Sequence, residues 1–285
     1  MFKHYSHCAV LSLVSDIEIK GMILLSTELL AYYRCLSTQL FAVVDVETTG
    51  HRARHNRVME LSVLQATLAD GIHRQQTHLI NPQEPIPPKI VEVTGISQEM
   101  VSVAPPAEDI FPLYVSWLNQ GILTAHNIKF DYPFLRAEYA RLVTNFYKPA
   151  SERFCTVELA RLMLADLPSR SLPKLVKHFQ FQVGVSHRAE ADTQACWLLA
   201  ERLLHEIRNE DDETLIARFA RHWMPLKEAA KLLRRSKKQC QSLMTELGVE
   251  SRFSGRRENG FPMYRRGDVE AIFYDRQGGR QLSLI

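Results

Sequence analysis

The run Phe41-Ala42-Val43-Val44-Asp45-Val46-Glu47 most constrains what this chain can become. Four consecutive apolar residues read as a strand buried on both faces. In an extended chain residues i and i+2 share a face, so Asp45 and Glu47 project side by side from the strand end. Two close carboxylates repel and raise each other's pKa unless a cation neutralises them. Hard oxygen donors of this kind suit Mg²⁺ or Mn²⁺. An Asp-x-Glu pair by itself is commonly a solvated strand end. Its place directly after a buried run makes a metal-holding pair the better account.

The surrounding pattern supplies a sheet for that strand. Val58–Leu68 and His73–Ile80 read as two further strands, and the four prolines between 82 and 88 mark a loop. Ile110–Leu118 reads as a helix, Ile122–Ala125 as another buried strand, and Asp131–Val143 as a helix with Pro133 in its first turn. Thr156–Leu164, Leu172–Phe179 and Ala189–Ile207 continue the helical pattern. Strands first, then strands alternating with helices, make the fold class α/β, a mixed sheet flanked by helices.

Two more acidic constellations follow. Asp131 closes His126-Asn127-Ile128-Lys129-Phe130-Asp131 after the Ile122–Ala125 strand, where helix capping is the simpler role. Asp192 closes His187-Arg188-Ala189-Glu190-Ala191-Asp192 at the start of a long helix, where a dipole role is the simpler one. Taken in order, Asp45-x-Glu47-Thr48-Thr49-Gly50, His126-Asn127-x-x-Phe130-Asp131 and His187-x-x-x-x-Asp192 resemble the DEDD exonuclease superfamily. The histidine five residues before the last aspartate marks the DEDDh branch. Residue 188 is Arg, so the branch with a tyrosine there is excluded. The resemblance spans about residues 41–205. It lies nearest the proofreading (epsilon) subunits of bacterial DNA polymerase III and their stand-alone relatives. Thr94-Gly95-Ile96-Ser97 matches a small family loop, with Thr94 where histidine is frequent.

The resemblance implies a ribonuclease H-like fold and metal-dependent 3′–5′ hydrolysis of DNA ends to nucleoside 5′-monophosphates. Two divalent ions, Mg²⁺ or Mn²⁺, are the implied cofactors. By analogy Asp45 bridges both ions, Glu47 and Asp192 hold the ion that carries the nucleophile, and Asp131 supports the other. His187 is the implied general base, since an imidazole titrates near neutral pH. Thr48, Thr49, Glu60, Ile96 and Asn127 are the implied substrate-side residues. Of these, Ile96 is expected to wedge against the terminal base, Glu60 to reach the terminal sugar, and Asn127 to order the loop. Phe130 is expected to be core.

Charge divides the chain. Residues 221–285 hold 14 Lys and Arg against 7 Asp and Glu, whereas the whole 285-residue chain nets only +3. A basic C-terminal quarter suggests a polyanionic partner there. Leu226–Arg235, a Ser236-capped helix to Leu247, a hairpin through Asn259-Gly260 and a short helix after Asp268 outline a small winged-helix-like domain. It resembles excisionase and MerR-type modules through Leu226–Leu233 and Tyr264–Val269. Lys237, Lys238 and Gln241 fall on its candidate recognition helix and Arg256 and Arg257 in its wing. Gln281-Leu282-Ser283-Leu284-Ile285 resembles the bacterial sliding-clamp-binding pentapeptide, with Ile285 in place of the usual Phe.

The expected organisation is therefore an extension over 1–40, an exonuclease domain over 41–207, a linker over 208–220 marked by the acidic run Arg208-Asn209-Glu210-Asp211-Asp212-Glu213, a winged-helix-like module over 221–276 and a tail over 277–285. Within the extension, Leu24–Leu40 reads as an amphipathic helix. Met22 offers an alternative start that would leave 1–21 outside the native protein. Five scattered cysteines without a CxxC pair indicate free thiols in a reducing cytoplasm. No apolar run approaches a membrane span, so no membrane partner is expected. DNA 3′ ends, the sliding clamp and a DNA polymerase are the implied partners. An RNA 3′–5′ exonuclease and a catalytically silent DNA-binding scaffold are the alternatives.

Overall fold

The computed structural model describes residues 23–255 and 260–276, in two compact units. The larger comprises Leu36–Glu158 and Ser169–His205. Its sheet has five strands: β1 Phe41–Thr48, β2 Val58–Thr67, β3 Gly71–Leu79, β4 Ile122–Ala125 and β5 Arg153–Cys155. Their spatial order is β3-β2-β1-β4-β5. β1 runs antiparallel to β2 and parallel to β4, so the sheet is mixed and β1 lies at its centre. A central strand has no edge to solvate, which is why Phe41–Val44 can be fully apolar.

The two faces of β1 have different neighbours. Val44 and Val46 pair with Val63 and Leu61 of β2 and enter a core with Ile110, Phe111, Tyr114, Leu135 and Tyr139. These come from the Ala107–Asn119 and Ile128–Arg141 helices. Phe41, on the alternate face, packs its ring 5.6 Å from Trp197 of the Ala189–Asn209 helix. Asp45 and Glu47 share that alternate face by the two-residue period. The helix that carries Asp192 therefore lies over the face from which the Asp-x-Glu pair projects.

Buried polar contacts set the helix positions further. Glu138 of the Ile128–Arg141 helix accepts the Val58 backbone N–H at 3.1 Å and Nε of Arg57 at 3.0 Å, and pairs with Arg141 at 3.0 Å. This clasp ties the helix bearing Asp131 to the start of β2. On the other face, Nε2 of Gln75 donates to the Glu190 carbonyl at 2.9 Å, and Nε2 of Gln194 donates to Gln75 at 2.8 Å. These bonds pin the first turns of the long helix to β3.

The smaller unit gathers the described residues up to Cys35, Leu159–Pro168 and those from Glu206 onward. Its sheet runs β6-β8-β7, with β6 Trp223–Pro225, β7 Ser251–Ser254 and β8 Phe261–Arg265. Met224 and Tyr264 from one face of it join Leu226, Ala229, Leu233, Cys240, Leu243, Met244, Val269 and Ile272 in a core of their own. Ser236 opens the Lys237–Glu246 helix with a reciprocal capping box to Gln239, and Gly248 takes φ 65° just beyond its end. The tip of the expected hairpin, 256–259, lies outside the described residues, but its strands pair in antiparallel register from Ser251↔Tyr264 to Ser254↔Phe261.

Two segments differ from their sequence expectation. The expected linker contains a helix, Asp212–Ala220, capped by Asp211 through the Thr214 backbone N–H at 2.8 Å. The acidic run that suggested a break is thus partly a helix start. The expected N-terminal helix covers Ser26–Leu36 and belongs to the same unit as the chain's last described helix, Arg266–Arg276. The Ser26 backbone N–H donates to Glu270 at 2.9 Å, while Arg266 donates to both Glu270 and the Leu24 carbonyl at 2.8 Å. Among the described residues no helix is long and apolar enough to cross a membrane.

Candidate active site

Each acidic residue reaches the site from a different element. Asp45 and Glu47 come from the end of β1, where the register against β2 places Glu47 opposite Glu60 before a bulge at Thr48. Asp131 sits in the first turn of the Ile128–Arg141 helix, whose cap residue is Asn127 with φ 87°. Asp131 is therefore not the helix cap. Its buried carboxylate accepts hydrogen bonds from its own backbone N–H and from that of Val46 on β1. Asp192 lies in the first turn of the Ala189–Asn209 helix and accepts the His187 backbone N–H at 3.0 Å. Asp192 thus fastens the turn that precedes its own helix.

His187 has φ 63°, a left-handed conformation uncommon for a non-glycine residue. Such backbone is kept where its surroundings over-determine it, and such positions cluster at functional sites. Here the turn places one ligand-capable atom each of Glu47, His187 and Asp192 within 4.8 Å of one another. That spacing can receive a single divalent ion.

Electrostatics bind the remaining carboxylates to this group. Burial, followed by the charges of Asp131, Glu47, Asp192 and Glu60, drives the Asp45 carboxyl well above its usual range. Burial also pushes Glu47 up to about 8, reinforced by Asp192 and Glu60 and opposed by Arg188. Asp131 rises to about 8 chiefly through burial, against the pull of its two backbone donors. Asp192 is raised by burial as well. Four carboxylates that resist ionisation together form a site that gains by receiving positive charge. The donor set, all oxygen with one imidazole, fits a divalent cation such as Mg²⁺ or Mn²⁺.

Arg188 is the residue that sequence reasoning missed. Its guanidinium forks onto Glu60 at 2.6 Å and 3.1 Å, and the Ala189 backbone N–H adds a bond to the same carboxylate at 2.8 Å. Glu60 is only 1% exposed. The pair fastens the turn carrying His187 to β2, beside the cation-seeking cluster. The available signal was the adjacency of Arg188 to His187, together with a glutamate, Glu60, in a buried strand.

The other expected substrate-side residues take varied positions. Thr48 and Thr49 are buried, with the Thr48 hydroxyl on the Gly50 carbonyl at 2.7 Å and the Thr49 hydroxyl paired with Glu84. Ile96 is fully buried among Met59, Ile86 and Val101. Asn127 is exposed and makes no side-chain cap. The preceding His126 is held by the Thr156 hydroxyl at 2.9 Å and the Arg170 carbonyl at 3.0 Å, which shapes the loop before Asp131. Phe130 packs at the edge of the main core, 5.1 Å from Phe134. In the smaller unit Lys237, Lys238 and Gln241 are all exposed, on the side of their helix away from buried Cys240, Leu243 and Met244. Arg256, Arg257 and the segment Gln281–Ile285 lie outside the described residues.

Residues 42–200 match the model of the RNase_T exonuclease family. This chain belongs to that family. Its larger unit has the ribonuclease H-like exonuclease fold, and its smaller unit adds a small sheet with helices. Over 181 residues the chain is 33% identical to the PolC-type DNA polymerase III of Oceanobacillus iheyensis, covering 62% of this chain and 12% of that protein. Over 193 residues it is 29% identical to the 3′-5′ exonuclease DinG of Bacillus subtilis, covering 66% and 20%. The chain thus spans a fifth or less of the length of these relatives. Among solved structures, E. coli exonuclease I in complex with a dT13 oligonucleotide shares the fold, with TM-score 0.51, 19% identity and coverage of 59% of this chain and 41% of that one.

Proposed function

We propose that this protein is a metal-dependent 3′–5′ DNA exonuclease acting in replication proofreading or DNA repair, with nucleoside 5′-monophosphates as products. The observation that carries the reading is the convergence of Asp45, Glu47, Asp131 and Asp192 with His187 from three separate elements. Buried and half-buried carboxylates of raised pKa cost stability unless a cation uses them, so a purely structural role accounts poorly for the cluster. The names of its relatives, PolC-type DNA polymerase III and 3′-5′ exonuclease DinG, support DNA as polymer and the polarity.

Two divalent ions held here would supply an activated water and a stabilised leaving 3′-oxygen. Asp45, whose carboxyl feels the charges of Asp131, Glu47 and Asp192, would serve both ions. Glu47 and Asp192 would hold the ion on the nucleophile side, and Asp131 would support the other. The His187 ring is exposed beside Glu47 and Asp192, where it can take the proton of the attacking water. Thr48 and Thr49 would bring backbone to the terminal nucleotide, Glu60 would reach its sugar only on releasing Arg188, and Asn127 would order the loop before Asp131 through its left-handed backbone rather than its side chain. Ile96, fully buried in this structure, would have to become accessible to wedge against the terminal base as expected.

The smaller unit is read as a winged-helix-like DNA-binding module. Exposed Lys237, Lys238 and Gln241 support this, since phosphate neutralisation and base contacts need solvent-facing residues. Arg256 and Arg257 would add wing contacts. Gln281–Ile285 would bind the sliding clamp and so bring the enzyme to a DNA polymerase. Cys155, Cys196 and Cys240 are buried free thiols, which supports a cytoplasmic setting.

The test is a 5′-labelled DNA oligonucleotide with Mg²⁺ or Mn²⁺, comparing wild type with Asp45→Ala. The expected result is a ladder shortening from the 3′ end in wild type alone. A matched RNA oligonucleotide cleaved in preference would favour the RNA exonuclease. Binding of DNA without cleavage of either polymer would leave the scaffold.

A further inference from the structure

The smaller sheet has an outer face that the proposed DNA-binding helix does not use. Met224 and Tyr264 point into the core, so their strand neighbours point away. Register aligns Trp223 with Arg265, and Met263 with both Pro225 and Arg252. The outer face therefore carries Trp223, Arg252, Met263, Arg265 and Phe261. The Arg265 guanidinium lies 4.0 Å from the indole centroid of Trp223, and that of Arg252 lies 4.6 Å away. Trp223 is only 6% exposed, while Arg252 is exposed and Phe261 is 48% exposed.

Two guanidiniums on one ring repel each other. Burial and the charge of Arg265 both lower the pKa of Arg252. Among the described residues neither arginine is paired with a carboxylate, and Arg265 donates only to the Arg221 carbonyl. Stacking on the ring holds both planes in place and leaves N–H edges for an acceptor. A closely spaced row of anions would relieve the repulsion and bind rigid, pre-ordered donors. The neighbouring exposed Phe261 offers an aromatic surface beside them, a combination suited to nucleic acid.

We infer that this outer sheet face, built on the Arg252–Trp223–Arg265 stack, is a second polynucleotide-binding surface that grips the phosphate backbone of DNA. The inference rests on the reading of the chain as a DNA enzyme. It adds a contact surface separate from Lys237, Lys238 and Gln241. The occupant is a phosphodiester backbone, because the stack supplies paired cations and no sequence-reading donor in a groove-sized element. Arg252 and Arg265 thus position DNA without reading its bases.

The experiment measures binding of the full chain to fluorescein-labelled DNA, a single-stranded 20-mer and the matching duplex, by anisotropy in EDTA across a salt series. Binding in EDTA does not depend on turnover, so loss of the exonuclease reading would be seen separately in the cleavage assay. The double variant Arg252→Gln/Arg265→Gln keeps side-chain length, and its thermal melt reports folding. In the log–log salt plot the slope is expected to fall by about one for each arginine, with weaker binding to every DNA sequence tested. A parallel Lys237→Gln/Lys238→Gln variant should weaken binding additively with it. An unchanged slope and affinity in the folded arginine variant would overturn the assignment and leave an acidic protein surface as the occupant.

Discussion

Replacing Glu47 by Gln should stabilise the metal-free protein at alkaline pH, and the structure sets the size of the gain. Glu47 titrates near 4.5 when free and is pushed up to about 8 in the fold, chiefly by burial. The folded state therefore binds more protons than the unfolded chain between those values. The stability from this group is complete below about 4.5 and is lost as pH rises through about 8. At ~1.4 kcal/mol per pH unit, the full span amounts to about 4–5 kcal/mol. Local relaxation and counter-ions absorb part of it, leaving about 2–4 kcal/mol, or roughly 5–15 °C in Tm for a chain of this size. Glutamine keeps the shape and removes the charge. In EDTA the variant should melt above wild type at pH 8.5 and together with it at pH 4.5. Saturating Mg²⁺ should close or reverse the gap, because wild type gains binding energy that scales with the logarithm of ion over Kd. A variant no more stable than wild type at pH 8.5 in EDTA, or equally favoured at both pH values, would refute the electrostatic account of the cluster.

The clasp around the histidine turn gives a second test. Arg188→Ala strips the cation from a carboxylate that is 1% exposed; since Arg188 itself is 40% exposed, the cost should be about 2 kcal/mol rather than the ~3–5 of a fully buried pair. Denaturant midpoints measure this, and kcat should fall with it, while Arg188→Lys should not restore the two-pronged contact. His187→Ala should slow turnover by ~10²–10⁴-fold with folding intact, read from single-turnover cleavage of labelled DNA. Glu138→Ala leaves Arg57 and Arg141 without their shared acceptor and should cost about 2–4 kcal/mol, seen in urea melts as an earlier midpoint with unchanged slope. Deleting residues 281–285 should abolish clamp binding in a pull-down with purified clamp, while cleavage of short oligonucleotides proceeds as before.

Much of the larger unit could be read directly from residue order. Phe41–Val44 had to be a central strand, and the two-residue period then put Asp45 and Glu47 on one face. The helices expected over 110–118 and 189–207 are found as Ala107–Asn119 and Ala189–Asn209, each lengthened by a turn or less. Asp131 was found by its motif, but its helix begins earlier than expected. The left-handed Asn127 starts it, and neighbouring residues alone do not reveal that φ. Strand β5 and the short helices over 88–94 and 98–102 carry too few residues for periodicity to declare them. The acidic stretch at 208–213 read as a break because caps and linkers use the same residue types.

Sequence alone determined the identities, order and spacing of Asp45, Glu47, Asp131, His187 and Asp192, because strand and helix periods are local properties of the backbone. Tertiary structure alone decided that Arg188 meets Glu60 across 128 residues. It also decided that the Ser26 backbone N–H donates to Glu270 across 244 residues, and that two arginines of one hairpin share the ring of Trp223, which precedes that hairpin in the chain. Such contacts have no period. They exist only once the sheet and its helices are packed, when burial makes an unpaired charge costly enough to select its partner.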